Sequence, residues 1–401
     1  MRSPNDRLSA LHDEIVATAA HPLAQARCLP REVYTDATHY AWEIEHVLRR
    51  EWLSVGHISQ VSQPGDFCNV DMLGEPMLLT RGRDGEVRVL SRTCPHRGMD
   101  VNPTEFGRPA TGNARVLRCP YHFWTFALDG RCTGAPEMQC AEGFHRDSVR
   151  LTPIRSAIWH GFVFVNLSGD APPLDAQYAA MGTQLAPWRM HDLEMVADLW
   201  WNCAFNWKIL VENFAECYHH LGAHSKIFEP LFPAKTCWSN DEDPAFTVAN
   251  LPLIQPLADE VRAGASSLRQ FLDIETVPVE RRTNWYVYVG FPTYLLFAAP
   301  DRVFWYQVVP DGPERMRLRT TMLISPAAKG LPDYAARFAA EMEMLRAFHM
   351  EDMEMCTAVQ RGMRSQSYRP GRLSHLEKPL WLIQRYLARR IGASRATSVA
   401  A

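Results

Sequence analysis

The sequence has no long apolar run. The stretch nearest to a membrane span, Tyr288–Ala299, is short and is interrupted by Pro292. The first twenty residues carry Asp6, Asp13 and Glu14 and have no apolar h-region, so no secretory signal is expected there. No charge of one sign dominates: the formal net charge of −3 provides no electrostatic footprint for nucleic acid. No Gly-x-Gly-x-x-Gly occurs, which excludes the usual dinucleotide fingerprint. The ten cysteines contain no Cys-x-x-Cys and no plant-ferredoxin cluster, and they do not form the even, short-spaced framework of a disulfide scaffold. A reducing, cytoplasmic compartment is therefore expected. There is no internal repeat and no low-complexity tract. A length of 401 residues with 47% hydrophobic content is ordinary for a soluble chain of roughly two to three domains.

Against this background, two short loops stand out. One reads Cys94-Pro95-His96-Arg97-Gly98 and the other Cys119-Pro120-Tyr121-His122. Each offers one thiolate and one imidazole. That mixed pairing is what a Rieske [2Fe–2S] centre requires, with two Cys on one iron and two His on the other. Zinc also accepts two Cys and two His, but zinc fingers usually segregate them by arm. Replacing two thiolates by neutral imidazoles leaves a cluster less negative and easier to reduce. The remaining cysteines (Cys28, Cys68, Cys132, Cys140, Cys203, Cys217, Cys237 and Cys356) read as small buried hydrophobes.

Periodicity predicts an amphipathic helix over Asp36–Trp52. Short strands follow, among them Ser54–Ile58, Met77–Thr80, Val87–Ser91 and Val163–Asn166, punctuated by Pro64-Gly65 and Arg83-Asp84-Gly85. Ser168–Leu174 reads as a linker. Beyond it, Asn206–Tyr218 has helical apolar spacing, and Trp285–Phe291, Val303–Val309 and Met316–Ile324 read as antiparallel strands. Ala335–Gly362 reads as a long helix.

A second cluster of donors lies in Glu212–His224, which contains Glu212, Glu216, His219, His220 and His224. Two His and one carboxylate on one face of a metal make a non-haem Fe(II) site with open positions for O2. Spacing alone slightly favours His220 with His224, an i,i+4 pair; His219 with His224 needs the helix to open, and Gly222 is placed to end it. A surface helix with solvated histidines remains an equal alternative on spacing.

Asn206-Trp207-Lys208, Glu212-Asn213 and Glu216-x-Tyr218-His219-x-x-x-x-His224 closely resemble the mononuclear-iron motif of the catalytic (alpha) subunits of Rieske non-haem iron oxygenases. The resemblance covers nearly the whole chain and implies an α+β fold: a Rieske β-sandwich domain (51–168) and a helix-grip, START-like catalytic domain with an antiparallel sheet (169–401), to which residues 1–50 add a helical part. It also implies that the iron ligands are His219, His224 and Asp352, the last from Glu351-Asp352. Read blandly, those two are a solvated charged face. It further implies that Glu216 bridges His219 to His122 of a neighbouring subunit in a head-to-tail homotrimer, and that Asn213 lies near the iron. His220 then points elsewhere, and Tyr218 and Trp207 serve packing. Two departures stand out. Phe123 follows His122 where the family usually has Gly, and the loop over Asn102–Asn113 is longer than usual.

The implied activity is that of an oxygenase component fed by a separate NAD(P)H-dependent flavin and iron–sulfur reductase, with or without a ferredoxin. It would use O2 to hydroxylate or oxidatively N-demethylate a small substrate, with no membrane or nucleic-acid partner. Glu216 and Val359-Gln360-Arg361-Gly362 resemble members acting on betaines, choline or carnitine. A quaternary ammonium would want an aromatic cage, for which Trp285, Tyr286, Tyr288, Phe291, Tyr294, Phe297, Phe304, Trp305 and Tyr306 are candidates. The alternative is a cis-dihydroxylating ring dioxygenase. A different class, a Rieske electron carrier without mononuclear iron, would hold about two irons per chain rather than about three.

Overall fold

Turn residues cut the segment after Leu53 into short strands, and in the computed structural model, which describes residues 3–400, they form three small antiparallel sheets. Leu73 and Gly74, with φ of 51° and 80°, close a two-residue hairpin between Asp66–Met72 and Glu75–Arg81. Positive φ at both turn residues matches the right-handed twist of the flanking strands. These strands join Val87–Ser91 and Thr111–Asn113 in a four-stranded sheet. Leu53–His57, Phe162–Val165 and Ser156–Trp159 form a second sheet, and Val116–Arg118, Thr125–Ala127 and Cys132–Gly134 a third.

Residues 49–174 form one compact unit; the described residues 3–48 and 175–400 form the other. Ser168–Leu174 therefore belongs to the β unit and is no free linker. Ser168 donates its N–H to Arg49 at 2.9 Å, Trp52 Nε1 donates to the Pro172 carbonyl at 2.8 Å, and the Arg155 guanidinium reaches the carbonyls of Gly169 and Ala171. The long loop after Val101 is pinned as well: Asn102 Nδ2 bonds Asn69 Oδ1 at 2.9 Å and the Pro109 carbonyl at 3.0 Å.

The second unit is built on a seven-stranded antiparallel sheet, in the order Glu194–Cys203, Met316–Ile324, Val303–Pro310, Tyr294–Ala298, Asn284–Gly290, Phe246–Pro252, Trp238–Ser239. Its central strands are buried on both faces, which explains their unbroken apolar runs. Residues 175–188 cover one face: Tyr178 donates its hydroxyl to the Phe291 carbonyl at 2.9 Å and Trp188 Nε1 donates to Ala299 at 2.8 Å. The helices Trp207–Ala215 and Tyr334–Met363 pack on the opposite side, where Trp201 meets His349 and Cys203 Sγ lies 3.6 Å from Met353 Sδ.

Four helices differ from expectation. The first predicted helix is shorter, Ala37–His46, with Asp36 capping it through bonds of 2.7 and 2.9 Å to the N–H groups of Thr38 and His39. Helices Pro4–Ala19 and Lys378–Ala400, which pack together, were not anticipated. The Asn206 helix stops at Ala215 rather than Tyr218. Among the described residues, no helix is long and apolar enough to cross a membrane.

Candidate functional site

In the β unit, both cysteine loops are tight turns closed by the backbone. The Gly98 N–H bonds the Cys94 carbonyl at 2.9 Å, and the Phe123 N–H bonds the Cys119 carbonyl at 3.1 Å. The two thiols, each 2% exposed, interact electrostatically with one another, and burial pushes Cys94 up to about 11. The His96 and His122 rings meet edge-on with centroids 4.6 Å apart, and His96 stacks on Trp124 at 4.7 Å. Four donors of the right kinds thus converge: two adjacent thiols and two adjacent imidazoles. This set fits a Rieske cluster. Phe123 adopts φ 60°, the left-handed region where Gly would be unstrained. Its ring is 56% exposed beneath the Arg118 guanidinium at 4.9 Å, so it packs no roof over the loops within this unit.

In the other unit, the chemistry begins where a helix ends. Asn206 caps Trp207–Ala215 through Lys208 N at 3.0 Å and is itself held by Gln360 Oε1 at 2.8 Å. Lys208, fully buried, pairs with buried Glu43 at 2.7 Å. Glu216 then turns extended, and its Oε2 accepts the N–H groups of Tyr218 and of His219, the latter at 3.1 Å. The side chain takes over bonds that another helical turn would have made, which is why the helix stops. Its Oε1 binds His219 Nδ1 at 2.9 Å, leaving Nε2 to face inward.

His219, His224 and Asp352 bring one ligand atom each within 4.8 Å of the others. His224 Nε2 lies 3.0 Å and His219 Nε2 3.7 Å from Asp352 Oδ1. The far side of His224 is fixed as well, its Nδ1 2.7 Å from Glu351 Oε2. Each imidazole thus has a carboxylate behind it, the arrangement that orients metal-bound histidines. Glu351 is the site residue whose role went unread, because adjacent positions on a charged helix look alike in sequence. Asn213 reaches the site through Asp352, donating to Oδ1 at 2.9 Å. Burial pushes the Asp352 carboxyl up, but the two imidazoles and Asn213 outweigh it and hold it below the usual range. Three donors with oriented imidazoles fit a facial Fe(II) site.

His220 is not part of this triad. It is 4% exposed, its Nδ1 faces the Phe232 carbonyl at 3.4 Å, and burial lowers it to about 3. Trp207 is buried, as expected of a packing residue, but Tyr218 is 43% exposed. Glu212 accepts the Tyr34 hydroxyl at 2.7 Å, and burial raises its carboxyl to about 7.

The triad opens on a cleft lined by Phe214, Phe228, Phe297, Tyr306 and Phe348. The expected cage is mostly elsewhere. Of the nine aromatic candidates, only Phe297 and Tyr306 line this cleft. Arg302 sits over Trp285 and Phe304, and Arg281 over Tyr286 with its Nη2 3.3 Å from the Tyr288 hydroxyl. Strand alternation turns Tyr286, Tyr288 and Trp305 to the face opposite Phe297 and Tyr306, whereas Trp285 and Phe304 lie on the same face as Phe297 and Tyr306 and pack under Arg302. Phe228 and Phe348, absent from the candidates, come from a turn and from the long helix.

Residues 184–393 match the family described as the ring hydroxylating alpha subunit (catalytic domain), and residues 51–151 match the Rieske [2Fe-2S] domain. The carnitine monooxygenase oxygenase subunit of Escherichia coli (strain K12) is 34% identical over a stretch covering 50% of this chain and 53% of that protein, so the match spans about half of that relative. The glycine betaine monooxygenase oxygenase subunit of Chromohalobacter salexigens is 25% identical over 90% of this chain and 86% of that protein. A crystal structure of the quaternary ammonium Rieske monooxygenase CntA superposes with a TM-score of 0.79 at 25% identity, covering 94% of this chain and 98% of the other. Naphthalene 1,2-dioxygenase from Rhodococcus sp. shares the fold at a TM-score of 0.74 and 19% identity, over 97% and 99% of the two chains. With a Rieske domain ahead of that catalytic domain, the chain belongs to the ring hydroxylating alpha subunit family.

Proposed function

We propose that this chain is the oxygenase component of a multicomponent Rieske non-haem iron oxygenase that acts on a quaternary ammonium compound, hydroxylating it or removing an N-methyl group. The observation that carries the reading is the His219–His224–Asp352 triad, braced by Glu216 and Glu351 and facing an aromatic cleft. The relatives named for carnitine and glycine betaine support the substrate class.

In this reading Cys94, His96, Cys119 and His122 hold the cluster, and His219, His224 and Asp352 hold the iron. When bound, the two centres supply single electrons and O2 activation. The protein does the rest. Glu216 and Glu351 accept the Nδ1 protons of His219 and His224 and so fix the tautomer that leaves Nε2 for metal. Asn213 holds the Asp352 carboxylate in place. The phenylalanine walls keep water from the reacting C–H group. Glu216 also bridges to His122 of the partner subunit in a homotrimer, and a separate NAD(P)H reductase, with or without a ferredoxin, supplies electrons to a cytoplasmic enzyme.

The cation would be drawn by the carboxylates of the site and by ring faces, with Phe228, Phe297 and Phe348 in place of the cage first expected. The same walls suit a flat ring, so cis-dihydroxylation of an aromatic compound is the second reading. Oxygen uptake with a surrogate reductase, measured on betaines and on aromatic acids, decides between them; uptake driven only by the aromatic compounds rejects the first. For the bridge, Glu216→Gln should keep both metals and lose turnover. Full activity in that variant would remove Glu216 from the electron path.

A further inference from the structure

Two cysteines stand beside the triad with no part in it. Cys217 opens the short turn Tyr218–Leu221, which carries His219, and its carbonyl accepts the His220 N–H at 3.1 Å. Cys237 closes the turn Ala234–Thr236, and the two turns pack together. Both cysteines line one cavity, with Trp238, His375 and Lys378. The Cys237 thiol is the strongest influence on the Cys217 thiol, ahead of burial. The two are unequally placed: Cys217 is 3% exposed, while Cys237 is half-buried and so is not the buried hydrophobe expected of it. Trp238, next to Cys237, is 60% exposed, and His375 and Lys378 give the cavity a polar wall. A small, water-borne reagent therefore meets Cys237 first.

The position of Cys217 gives the pair its leverage. Glu216 Oε2 reaches across Cys217 to accept the N–H groups of Tyr218 and His219. The Cys217 backbone thus lies inside the loop that Glu216 closes, and Glu216 Oε1 braces His219 Nδ1 at 2.9 Å. Cys217 also lines the aromatic cleft, so one residue borders both cavities. A disulfide holds its sulfurs at about 2.05 Å with a dihedral of about 90°. Closing one here would draw Cys217 toward Cys237 and take the Cys237 thiol from the Pro233 carbonyl, which it faces at 3.7 Å. The pull falls on the loop that orients His219.

We infer that Cys217 and Cys237 form an oxidation site, closed to a disulfide by hydrogen peroxide, and that closure loosens the hold of His219 on iron. The disulfide stands on the placement of the pair; the effect on iron rests on the proposed function. The Cys237 sulfur attacks one peroxide oxygen and breaks the O–O bond, giving a sulfenic acid and one water. The Cys217 sulfur then displaces the hydroxyl group, which leaves with the Cys217 proton as a second water, and the S–S bond forms. The two thiols lose two electrons in all, and the peroxide gains both. A dithiol reductant reverses the step by exchange. Two-electron reduction of O2 gives hydrogen peroxide, so an oxygenase turning over without hydroxylation is itself a source of the oxidant. In a reducing compartment such a bond is transient and redox-sensing rather than structural.

The test treats the metal-loaded enzyme with stoichiometric hydrogen peroxide and reads three things: the Cys217 and Cys237 peptides by mass spectrometry, iron release to a chelator, and the visible spectrum. Wild type should yield the linked peptides and release mononuclear iron about tenfold faster or more, the usual cost of disturbing the partner of a metal-bound histidine. The Rieske absorbance should persist, and dithiothreitol should restore the slow release. Cys237→Ser lies outside the cluster loops and the triad. It should match untreated wild type in iron content and turnover and should resist the treatment. Absence of the linked peptides from wild type overturns the inference, and that readout needs no variant. So does a linked pair that releases iron at the unlinked rate, and so does equal, irreversible loss in wild type and Cys237→Ser. If the untreated enzyme holds only its cluster iron, the proposed function fails, and the linked peptides alone then decide the oxidation site.

Discussion

The two metal-binding regions are held in opposite ways. In the β unit the donors sit in short loops closed by backbone bonds, such as Gly98 N–H to Cys94 O, and neither loop contains a carboxylate. In the catalytic unit they are held by side chains: Glu216 behind His219, Glu351 behind His224 and Asn213 on Asp352. A backbone-closed loop needs little beyond its own sequence. A side-chain-braced site depends on a helix end, a turn and a residue on the long helix Tyr334–Met363 meeting correctly. The second kind should be easier to damage from a distance.

The largest effect tests that independence. Asp352→Ala removes one of three iron ligands in this reading and takes away the partner of His224 Nε2 and of the Asn213 amide. It should abolish mononuclear iron and turnover while the visible Rieske absorbance persists; Cys119→Ser should do the converse for the absorbance. Iron content and the optical spectrum of each purified variant decide. Loss of both centres from either substitution would break the comparison.

Legibility follows the same division. Cys94, His96, Cys119 and His122 were readable because each pair lies within one loop. His219 and His224 were visible as donors, but spacing favoured His220. The helix end at Glu216, created by a carboxylate capturing two N–H groups, has no periodic signature. Asp352 was legible only through family resemblance, and Glu351 not at all as a brace. The aromatic candidates failed for a physical reason. Strands covered on both faces lose the polar alternation that reveals which side chains point inward. Nothing in the sequence of residues 175–188 announced that they cover the other face.

Buried carboxyl groups give the second test. Burial raises the Glu212 carboxyl from 4.5 to about 7, although the Tyr34 hydroxyl and Lys208 oppose the rise. A raised carboxyl contributes stability in full below its unfolded value and loses it as pH climbs through the folded one. Between pH 4.5 and about 7 the unfolded chain releases this proton and the folded chain keeps it, so stability should fall by up to about 3 kcal/mol across that window. Glu212→Gln preserves an acceptor for Tyr34 and should flatten that slope. Urea unfolding at the two ends of the window, followed by catalytic-unit fluorescence, measures it, and an unchanged slope in the variant would assign the pH dependence to another group.

The smallest effect lies in the loop that departs from its family. Phe123 holds a left-handed backbone, φ 60°, at a cost of about 1–2 kcal/mol for a residue with a Cβ. Against this stands the Arg118 guanidinium over the ring at 4.9 Å, a contact worth about 0.5–1 kcal/mol at an exposed position. Glycine removes both terms and also loosens the unfolded chain, at a cost of about 0.4–1 kcal/mol. Phe123→Gly should therefore move stability by no more than about 1 kcal/mol, on the stabilising side if relief of strain dominates. Thermal loss of the Rieske absorbance measures the sign. A Tm that falls well outside that margin would mean the ring has a partner that the isolated chain does not display, and would give this loop a dependence on distant contacts like that of the catalytic unit.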